Sequence, residues 1–274
     1  MSHRINHLLA HLPEAEFNAL TSHMELVSLI KGQSLFGTGE FPKYIYFPIG
    51  AIVSMLNDME DGTSVEVYML TNTCVVGIGT LGQRSFYRAY VRSSGLAYRM
   101  SAQKMLDIRD ECPVYLKGAL DASHRMLMQL SQNIACGRRH PIEQQLIRWM
   151  LITLDRTGSH DIPITHQELA EILGIRREAI TLNLAKLSSD KIVKVTRGGI
   201  EVLNRDLMED RSCECYWAGQ QRERPISRLN SSVLDTSLSR ARPVVHHAHA
   251  RSRAFSFQQI HELAEASPPV ARLP

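Results

Sequence analysis

The sequence has no long apolar run. Hydrophobic residues make up 44% of its 274 residues, yet no stretch reaches the roughly 18 consecutive apolar residues of a membrane-spanning helix. The N-terminal stretch MSHRINHLLAHLPEAEF interrupts its apolar residues with His, Pro and Glu, which is unlike a secretory signal peptide. We therefore expect a cytoplasmic protein with no membrane contact.

Cysteine is scarce, and no pair has the C-x-x-C spacing. The five cysteines are Cys74, Cys112, Cys136, Cys213 and Cys215. Their odd number and wide scatter argue against a disulfide framework or a zinc knuckle, so we expect plain thiols, no metal site and no cofactor. No group of cysteines near the N-terminus could hold an iron–sulfur cluster, and the lack of histidine in residues 32–98 argues against haem or cupin-type metal chemistry there.

A strong positive charge is also missing. The formal net charge is +3, and residues 211–274 alone contain nine arginines against five acidic residues. The rest of the chain is therefore nearly neutral, and any DNA binding must come from a local basic face. From residue 213 the chain is rich in Arg, Ser, Pro and Ala without a sustained period, so we expect disorder there.

Short β-rich runs fill the region from about Gly32 to Tyr98. The runs YIYFPIGAIVSML, SVEVYML, TCVVGIG and YRAYVRSSGLAYRM are separated by turn signals such as EDGT. Many short strands at regular spacing predict an antiparallel barrel or sandwich of about one hundred residues. Before it, apolar residues at helical spacing on both sides of Pro13 predict short amphipathic helices.

A helical seam follows in residues 113–137. Its positions alternate steps of four and three residues: Leu116, Leu120, Ser123, Leu127, Leu130 and Ile134. This is the a/d pattern of a short coiled coil, which we interpret as a homodimerisation helix; the alternative is a helix packed on its own β-domain. The stretch CGRRHP then predicts a hinge before a second helix that ends at Gly158.

Two helix-like runs meet at Gly174. In ITHQELAEIL, Thr165 and Glu168 have the spacing of a capping box, and RREAITLNLAKL resumes a helical pattern. Ala170, Gly174 and Ile180 occupy the positions where a helix-turn-helix needs a small residue, a turn glycine and a branched core residue. The stretch IVKVTRGGIEVL adds two alternating runs around a glycine turn, which predicts the β-hairpin of a wing.

The charged residues that open the second run suit base recognition. A guanidinium can make bidentate contacts with guanine, and a carboxylate can accept a hydrogen bond from cytosine. A recognition helix inserts its N-terminal end into the major groove. We predict an interface with double-stranded DNA formed by Thr165, His166, Gln167, Arg176, Arg177, Glu178, Thr181, Lys186 and Arg197. A solvated amphipathic helix is the alternative, which the adjoining turn and wing disfavour.

The order of these parts resembles the Crp/Fnr family of bacterial transcription regulators across about residues 10–210. The resemblance implies a β-roll of the cyclic-nucleotide-binding type, a long homodimer helix and a C-terminal domain for a near-palindromic operator. It implies that Arg177 and Glu178 read bases, that residues 165–167 contact phosphates, and that RNA polymerase is a candidate partner. Leu182 stands where the family has a third base-contacting arginine, so the operator sequence does not transfer.

The cyclic-nucleotide cassette of that family is altered here. Members that bind the ligand carry a motif similar to F-G-E-L-x-L followed by R-[ST]-A, whose glutamate holds the ribose and whose arginine pairs with the phosphate. In VVGIGTLGQRSFYRAYVRS, Ile78 stands at the glutamate place and Tyr87 at the arginine place. We therefore predict no tight binding of cyclic AMP. Gly77, Arg84 and Arg88 are candidate contacts for another anionic ligand, although solvated strand arginines are the simpler interpretation.

These patterns predict an α+β fold in four parts. They are a cyclic-nucleotide-binding-like β-roll at 1–110, a dimerisation helix at 111–138, a winged helix-turn-helix at 139–212 and a disordered tail at 213–274. The predicted function is a homodimeric DNA-binding transcription regulator without a catalytic site. The alternative is a small-ligand sensor or enzyme built on the β-domain, whose helical domain makes only protein contacts.

Overall fold

The computed structural model describes residues 3–80 and 82–223 of the chain. Two short helices, α1 (His7–Ala10) and α2 (Glu14–Thr21), precede seven strands. The strands are β1 (Glu25–Leu29), β2 (Ser34–Phe36), β3 (Tyr44–Pro48), β4 (Ile52–Asp58), β5 (Ser64–Leu70), β6 (Arg88–Ser93) and β7 (Gly95–Ser101). Helix α3 (Ala102–Ile108) follows them, and together these elements form the β-domain.

The seven strands form two antiparallel sheets, in the orders β1-β7-β3 and β2-β6-β4-β5. The predicted α+β class with an N-terminal antiparallel β-domain is therefore confirmed. One predicted strand differs, because TCVVGIG contributes only an isolated bridge between Val76 and Tyr46. Gly77 has a φ of +89°, which turns the backbone out of an extended path and into a short 3-10 turn at Ile78–Thr80.

Alternation along β6 explains how one sheet face joins the core. Ala89 and Val91 are fully buried, whereas Arg88, Tyr90 and Arg92 between them are only partly buried. The chain then passes directly from β6 in one sheet to β7 in the other. Gly95 makes this crossing possible, since a Cβ there would lie 2.4 Å from the backbone nitrogen of Ala51.

A long helix, α4 (Pro113–Arg139), connects the β-domain to the C-terminal part. Pro113 suits the first helical turn, where its missing N–H costs nothing. The predicted hinge CGRRHP is shorter than expected, because Cys136–Arg139 remain helical and the break falls at His140, which has φ −105° and ψ 148°. Pro141 accounts for this position, since a proline disfavours helical backbone in the residue before it.

The C-terminal part is a winged helix-turn-helix, as predicted. It contains α5 (Ile142–Thr157), β8 (Asp161–Ile162), α6 (His166–Leu173), α7 (Arg177–Ser189), β9 (Val193–Thr196), β10 (Gly199–Val202) and α8 (Arg205–Asp210). The strands form one antiparallel sheet in the order β8-β10-β9. One apolar core joins α5, α6 and α7 to this sheet, and it also includes Ile52 and Met69 of the β-domain. Within the described ranges, no helix combines the length and hydropathy of a membrane span.

The predicted boundary of the disordered tail needs correction. Residues 214–223, which the sequence analysis assigned to that tail, form helix α9 (Glu214–Glu223). Cys213, Cys215 and Tyr216 are buried at its start, and the Tyr216 hydroxyl donates to Asp155 on α5 at 3.0 Å. Apolar side chains at this point therefore have a packing partner that composition alone did not reveal. The rest of the predicted tail lies outside the described residues.

Candidate nucleic-acid interface and the β-domain

The turn of the helix-turn-helix is defined by capping at both ends of α6. The Thr165 hydroxyl accepts from the backbone N–H of Glu168 at 3.1 Å, and the Glu168 carboxylate accepts from the N–H of Thr165 at 2.8 Å. This reciprocal pair is a capping box, as the sequence predicts. At the other end, Gly174 has a φ of +64°, and the N–H of Ile175 donates to the carbonyl of Ala170. The left-handed glycine ends α6 and directs the chain into α7.

Helix α7 presents its N-terminal charges to solvent. Ile180, Leu184 and Leu187 are fully buried in the core of the domain, whereas Arg177 and Glu178 are exposed. Among the described residues, neither of these two side chains has an ion-pair or hydrogen-bond partner; both are therefore available to a duplex. Arg176, just before the helix, is exposed in the same way.

The other predicted DNA contacts are more engaged within the chain. His166 Nδ1 lies 3.0 Å from the Thr181 hydroxyl, which brings the starts of α6 and α7 together. Gln167 donates to Glu171 at 2.8 Å, and Lys186 is paired with Glu143 at 2.5 Å, so part of the lysine charge is already neutralised. Arg197 is exposed in the turn between β9 and β10, at the tip of the wing and outside the two helices.

The β-domain contacts the helix-turn-helix directly. Lys31 Nζ lies 2.7 Å from Glu168 Oε1, and Val65 on β5 packs against Gly174, where a Cβ would approach its Cγ2 to 3.2 Å. Burial raises the pKa of Glu168, but its bonds with Lys31 and Thr165 outweigh this and leave the pKa below the usual value. Sequence reasoning missed Lys31 and Val65, because contacts over more than a hundred residues leave no local pattern.

A second contact joins β5 and β6 to α5. Arg92 Nη1 lies 3.0 Å from Glu66 Oε2, and the Trp149 indole donates to Glu66 Oε1 at 3.3 Å. Burial lowers the pKa of Arg92, and the charge of Glu66 partly offsets this effect. Nearby, Arg156 on α5 donates to the carbonyl of Met69 at 2.7 Å. These buried polar bonds fix the start of the C-terminal domain to the four-stranded sheet.

In the segment that resembles the cyclic-nucleotide cassette, the side chains of Tyr87 and Ile78 pack against the protein's own core. Tyr87 is buried against Phe36, with ring centroids 5.6 Å apart, and burial raises its pKa to about 12. Its phenolic oxygen is hydrogen-bonded to the backbone of Gly77, within the segment that corresponds to the phosphate cradle. Ile78, at the ribose-binding place, packs against the apolar core under the first helices. The Tyr87 hydroxyl therefore has a backbone partner within this segment.

The two candidate ligand arginines each have partners in the β-domain. Arg88 forms a bidentate pair with Asp58, with Nη2 2.7 Å from Oδ1, and also donates to Ser64 at 3.1 Å. Arg84 donates to the carbonyl of Gly39 at 2.8 Å. The structure thus gives each arginine a neutralising or accepting partner within the chain, and neither is a solvated strand residue without contacts.

The predicted seam of α4 divides into an exposed and a covered portion. Leu120, Leu127 and Ile134 are 71%, 63% and 61% exposed, and Leu116 is also exposed. Leu130 instead packs against the core of the β-domain. The other side of the helix buries Tyr115, Ala119 and Cys136. The two interpretations of this helix therefore apply to different faces, one packed on the β-domain and one open.

A cavity of about 280 Å³ lies between β5, α4 and α5. Leu130 and Asn133 on α4, and Arg148 and Trp149 on α5, are among its lining residues. Arg148 donates to the Asn133 side chain at 2.8 Å, while its buried Nε has no partner in the described part of the chain. The cavity touches all three elements that connect the β-domain, the long helix and the DNA-binding domain.

Sequence reasoning also missed a group of side chains at the end of α4. Cys136, Cys213 and Cys215, which were expected to be scattered thiols without a metal, lie beside one another and beside His140. Two local signals were available in the sequence. Cys136 and His140 are four residues apart at the end of one helix, and Cys213 and Cys215 form a C-x-C pair.

Comparison with known proteins agrees with this architecture. The family described as the Crp-like helix-turn-helix domain matches residues 144–211, which span α5 to α8. Residues 144–211 therefore form a Crp-like helix-turn-helix domain. This domain contains the capped α6, the Gly174 turn and the exposed start of α7.

Relatives and solved structures are similar to this chain over about two thirds of its length or more. The Global nitrogen regulator of Synechococcus elongatus is 22% identical over 192 residues, covering 66% of this chain and 86% of the relative. The protein of that name from Synechocystis is 23% identical and covers 64% and 82%. A Crp/Fnr regulator from Eubacterium rectale has a TM-score of 0.61 at 15% identity, covering 74% and 96%. The c-di-GMP-responsive regulator CLP of Xanthomonas campestris has a TM-score of 0.60 at 13% identity, covering 70% and 100%.

Proposed function

We propose that this chain is a transcription regulator of the Crp/Fnr type, which binds DNA as a homodimer and reads a near-palindromic operator through the N-terminal end of α7. The supporting observation is that Arg177 and Glu178 are exposed at the start of a helix whose opposite face is fully buried, and that neither has a side-chain partner among residues 3–80 and 82–223. A guanidinium and a carboxylate in this position can read guanine and cytosine in the major groove. Thr165, His166 and Gln167 then face the phosphate backbone.

The experiment begins with selection of bound sequences from random duplex DNA, which gives the operator and its symmetry. At that operator, Arg177→Ala is expected to cost about 1–3 kcal/mol and to relax the choice of base at one position in each half-site. Arg109→Ala is the matched control, since it removes the same charge just after α3, outside the proposed DNA interface, and should change affinity by less than about 0.5 kcal/mol. Equal affinity of Arg177→Ala and the parent protein contradicts the assignment.

A salt titration separates this proposal from a β-domain sensor or enzyme with no role in DNA binding. Phosphate contacts release counterions, so the affinity of a regulator falls steeply as salt rises. A protein whose helical domain makes only protein contacts shows no saturable DNA binding at any salt concentration. That result overturns the proposed function.

The homodimer is proposed to form along α4. Its exposed leucines and Ile134 repeat at coiled-coil spacing, and an apolar stripe of this kind is stabilised when a second copy covers it. Two copies related by a two-fold axis would place their recognition helices at half-sites about 34 Å apart. A palindrome in the selected DNA, with that spacing, is the expected result.

The sensory domain is proposed to bind no cyclic AMP tightly. Tyr87 uses the backbone of Gly77, Ile78 cannot hold a ribose hydroxyl, and Arg88 is paired with Asp58. Loss of a charge-assisted bond to phosphate costs about 2 kcal/mol or more, which weakens binding more than tenfold. Calorimetry with cyclic AMP tests this directly, and submicromolar binding would refute it.

A signal in the β-domain is proposed to act through the packing of α4 and so re-aim the recognition helices. Contacts of Lys31 with Glu168 and of Val65 with Gly174 connect the β-domain to α6, and the cavity beside Arg148 adjoins α4 and α5. Arg148 Nε, which has no hydrogen-bond partner in the part of the chain that the structure describes, is a donor that an anion entering this cavity would meet. A protein that binds its operator equally well in the presence of every metabolite tested would instead be a constitutive regulator.

A further inference from the structure

Three cysteines and one histidine meet where α4, α9 and the hinge come together. Cys136 lies in the last turn of α4, His140 is the residue that ends this helix, and Cys213 and Cys215 lie at the start of α9. One potential ligand atom from each of the four lies within 4.8 Å of every other. The three cysteines are 2–3% exposed. None of these side chains belongs to the DNA interface or the cassette.

The distances in this group match the edges of a tetrahedron around a single ion. Zinc binds thiolate sulfur at about 2.3 Å and imidazole nitrogen at about 2.0–2.1 Å, so a tetrahedral site separates two sulfurs by about 3.8 Å and a sulfur from a nitrogen by about 3.6 Å. Cys136 Sγ and Cys213 Sγ are 3.7 Å apart, and Cys215 Sγ and His140 Nδ1 are 3.5 Å apart. A cluster of several iron atoms would hold its thiolates further apart than one ion does.

The histidine is also oriented as metal-binding histidines are. Its Nδ1 faces Cys215, while its Nε2 lies 3.2 Å from the carboxylate of Glu214. A carboxylate on the far nitrogen fixes the tautomer that leaves the other nitrogen free to bind a metal. Glu214 stands between the two cysteines of the C-x-C pair, so one short segment supplies two sulfur ligands and the support for the histidine.

We propose that Cys136, His140, Cys213 and Cys215 form a structural zinc site. Three thiolates and one imidazole fill all four positions of a tetrahedral ion, which is the closed arrangement of structural rather than catalytic zinc. Each bound thiol releases its proton to solvent on binding, and no oxidation or reduction occurs. The ion would cross-link the end of the dimerisation helix to α9 and hold the His140–Pro141 hinge at one angle.

The first test is the metal content of the full chain, purified with a thiol reductant and without chelators, by mass spectrometry of the elements. About one zinc per chain is expected for the parent, and Cys213→Ser and Cys215→Ser should lose it. Cys74→Ser is the matched control, because Cys74 is a buried cysteine of the β-domain and its substitution should leave the zinc content unchanged. A triple His→Ala variant of residues 246, 247 and 249 should also retain zinc.

The second test is the affinity for zinc in competition with a chelating dye. Glu214 is 81% exposed and its substitution leaves the core intact, so Glu214→Ala should fold and bind zinc about tenfold more weakly. Cobalt added to the metal-free protein should give the visible absorption of tetrahedral thiolate coordination, lost in Cys215→Ser. The proposal is overturned if the parent binds no zinc, if the cysteine variants bind it as the parent does, if the metal is iron, or if alkylation reveals a Cys136–Cys213 disulfide.

Discussion

Substitution of Leu127 by alanine should weaken the proposed dimer strongly. The change removes about three methylene-sized groups, each worth about 0.8 kcal/mol when buried. Leu127 is 63% exposed in the single chain, so about that share remains to be covered by a partner, which gives about 1.5 kcal/mol per protomer. Both protomers carry the change, so the dimer should lose about 3 kcal/mol, or about 150-fold in its dissociation constant.

Sedimentation over a range of protein concentrations measures this effect. Leu203→Ala provides the control, since Leu203 is 51% exposed but lies after the wing and outside α4. The reasoning fails if Leu127→Ala changes the dissociation constant by less than about threefold, or if Leu203→Ala weakens the dimer equally. In the first case another surface holds the two copies together.

Two further predictions concern stability. Gly174→Ala places a side chain on a left-handed backbone and close to Val65, so the free energy of unfolding in denaturant should fall by about 1–2 kcal/mol. Gly137→Ala is the control: Gly137 lies inside a helix, so the same change there should raise the free energy of unfolding by about 0.5–1 kcal/mol. A hydrogen bond from Arg88 lowers the pKa of Asp58 below its unfolded value of 3.8, so this pair's contribution is present above that pH and is lost as the pH falls through the folded value. Asp58→Asn should therefore flatten the loss of stability in acid, and an unchanged slope below about pH 4 contradicts the assignment.

The sequence was most informative where the pattern is local. Thr165 and Glu168 predict the capping box, Gly174 predicts the turn, and the spacing from Leu116 to Ile134 predicts the helix. Each signal involves residues within a turn or two of each other. The alternation in β6 likewise predicts its buried face. Each of these features belongs to a single helix, turn or strand, and the fold class follows mainly from the types and order of these elements.

Long-range contacts left no such pattern. Neither the pairing of Lys31 with Glu168 nor the meeting of Cys136 with Cys213 can be read from spacing, since both depend on how elements pack after they form. Tyr87 illustrates the same limit in the cassette. Its position in the sequence predicts a missing phosphate anchor, but only the structure shows that its ring packs against Phe36 and that its hydroxyl is hydrogen-bonded to Gly77.

Glu168 performs two tasks with one carboxylate: its Oε2 closes the start of α6 and its Oε1 meets Lys31. Substitutions affect the helix cap and the ion pair differently. Glutamine at 168 would keep the closure and lose the charge pairing, while residue 31 can vary without disturbing the helix. Natural variation should therefore be wide at position 31 and confined to Glu or Gln at position 168. Substitution of Lys31 would then remove an ion pair between the β-domain and α6 and leave the helix-turn-helix unchanged.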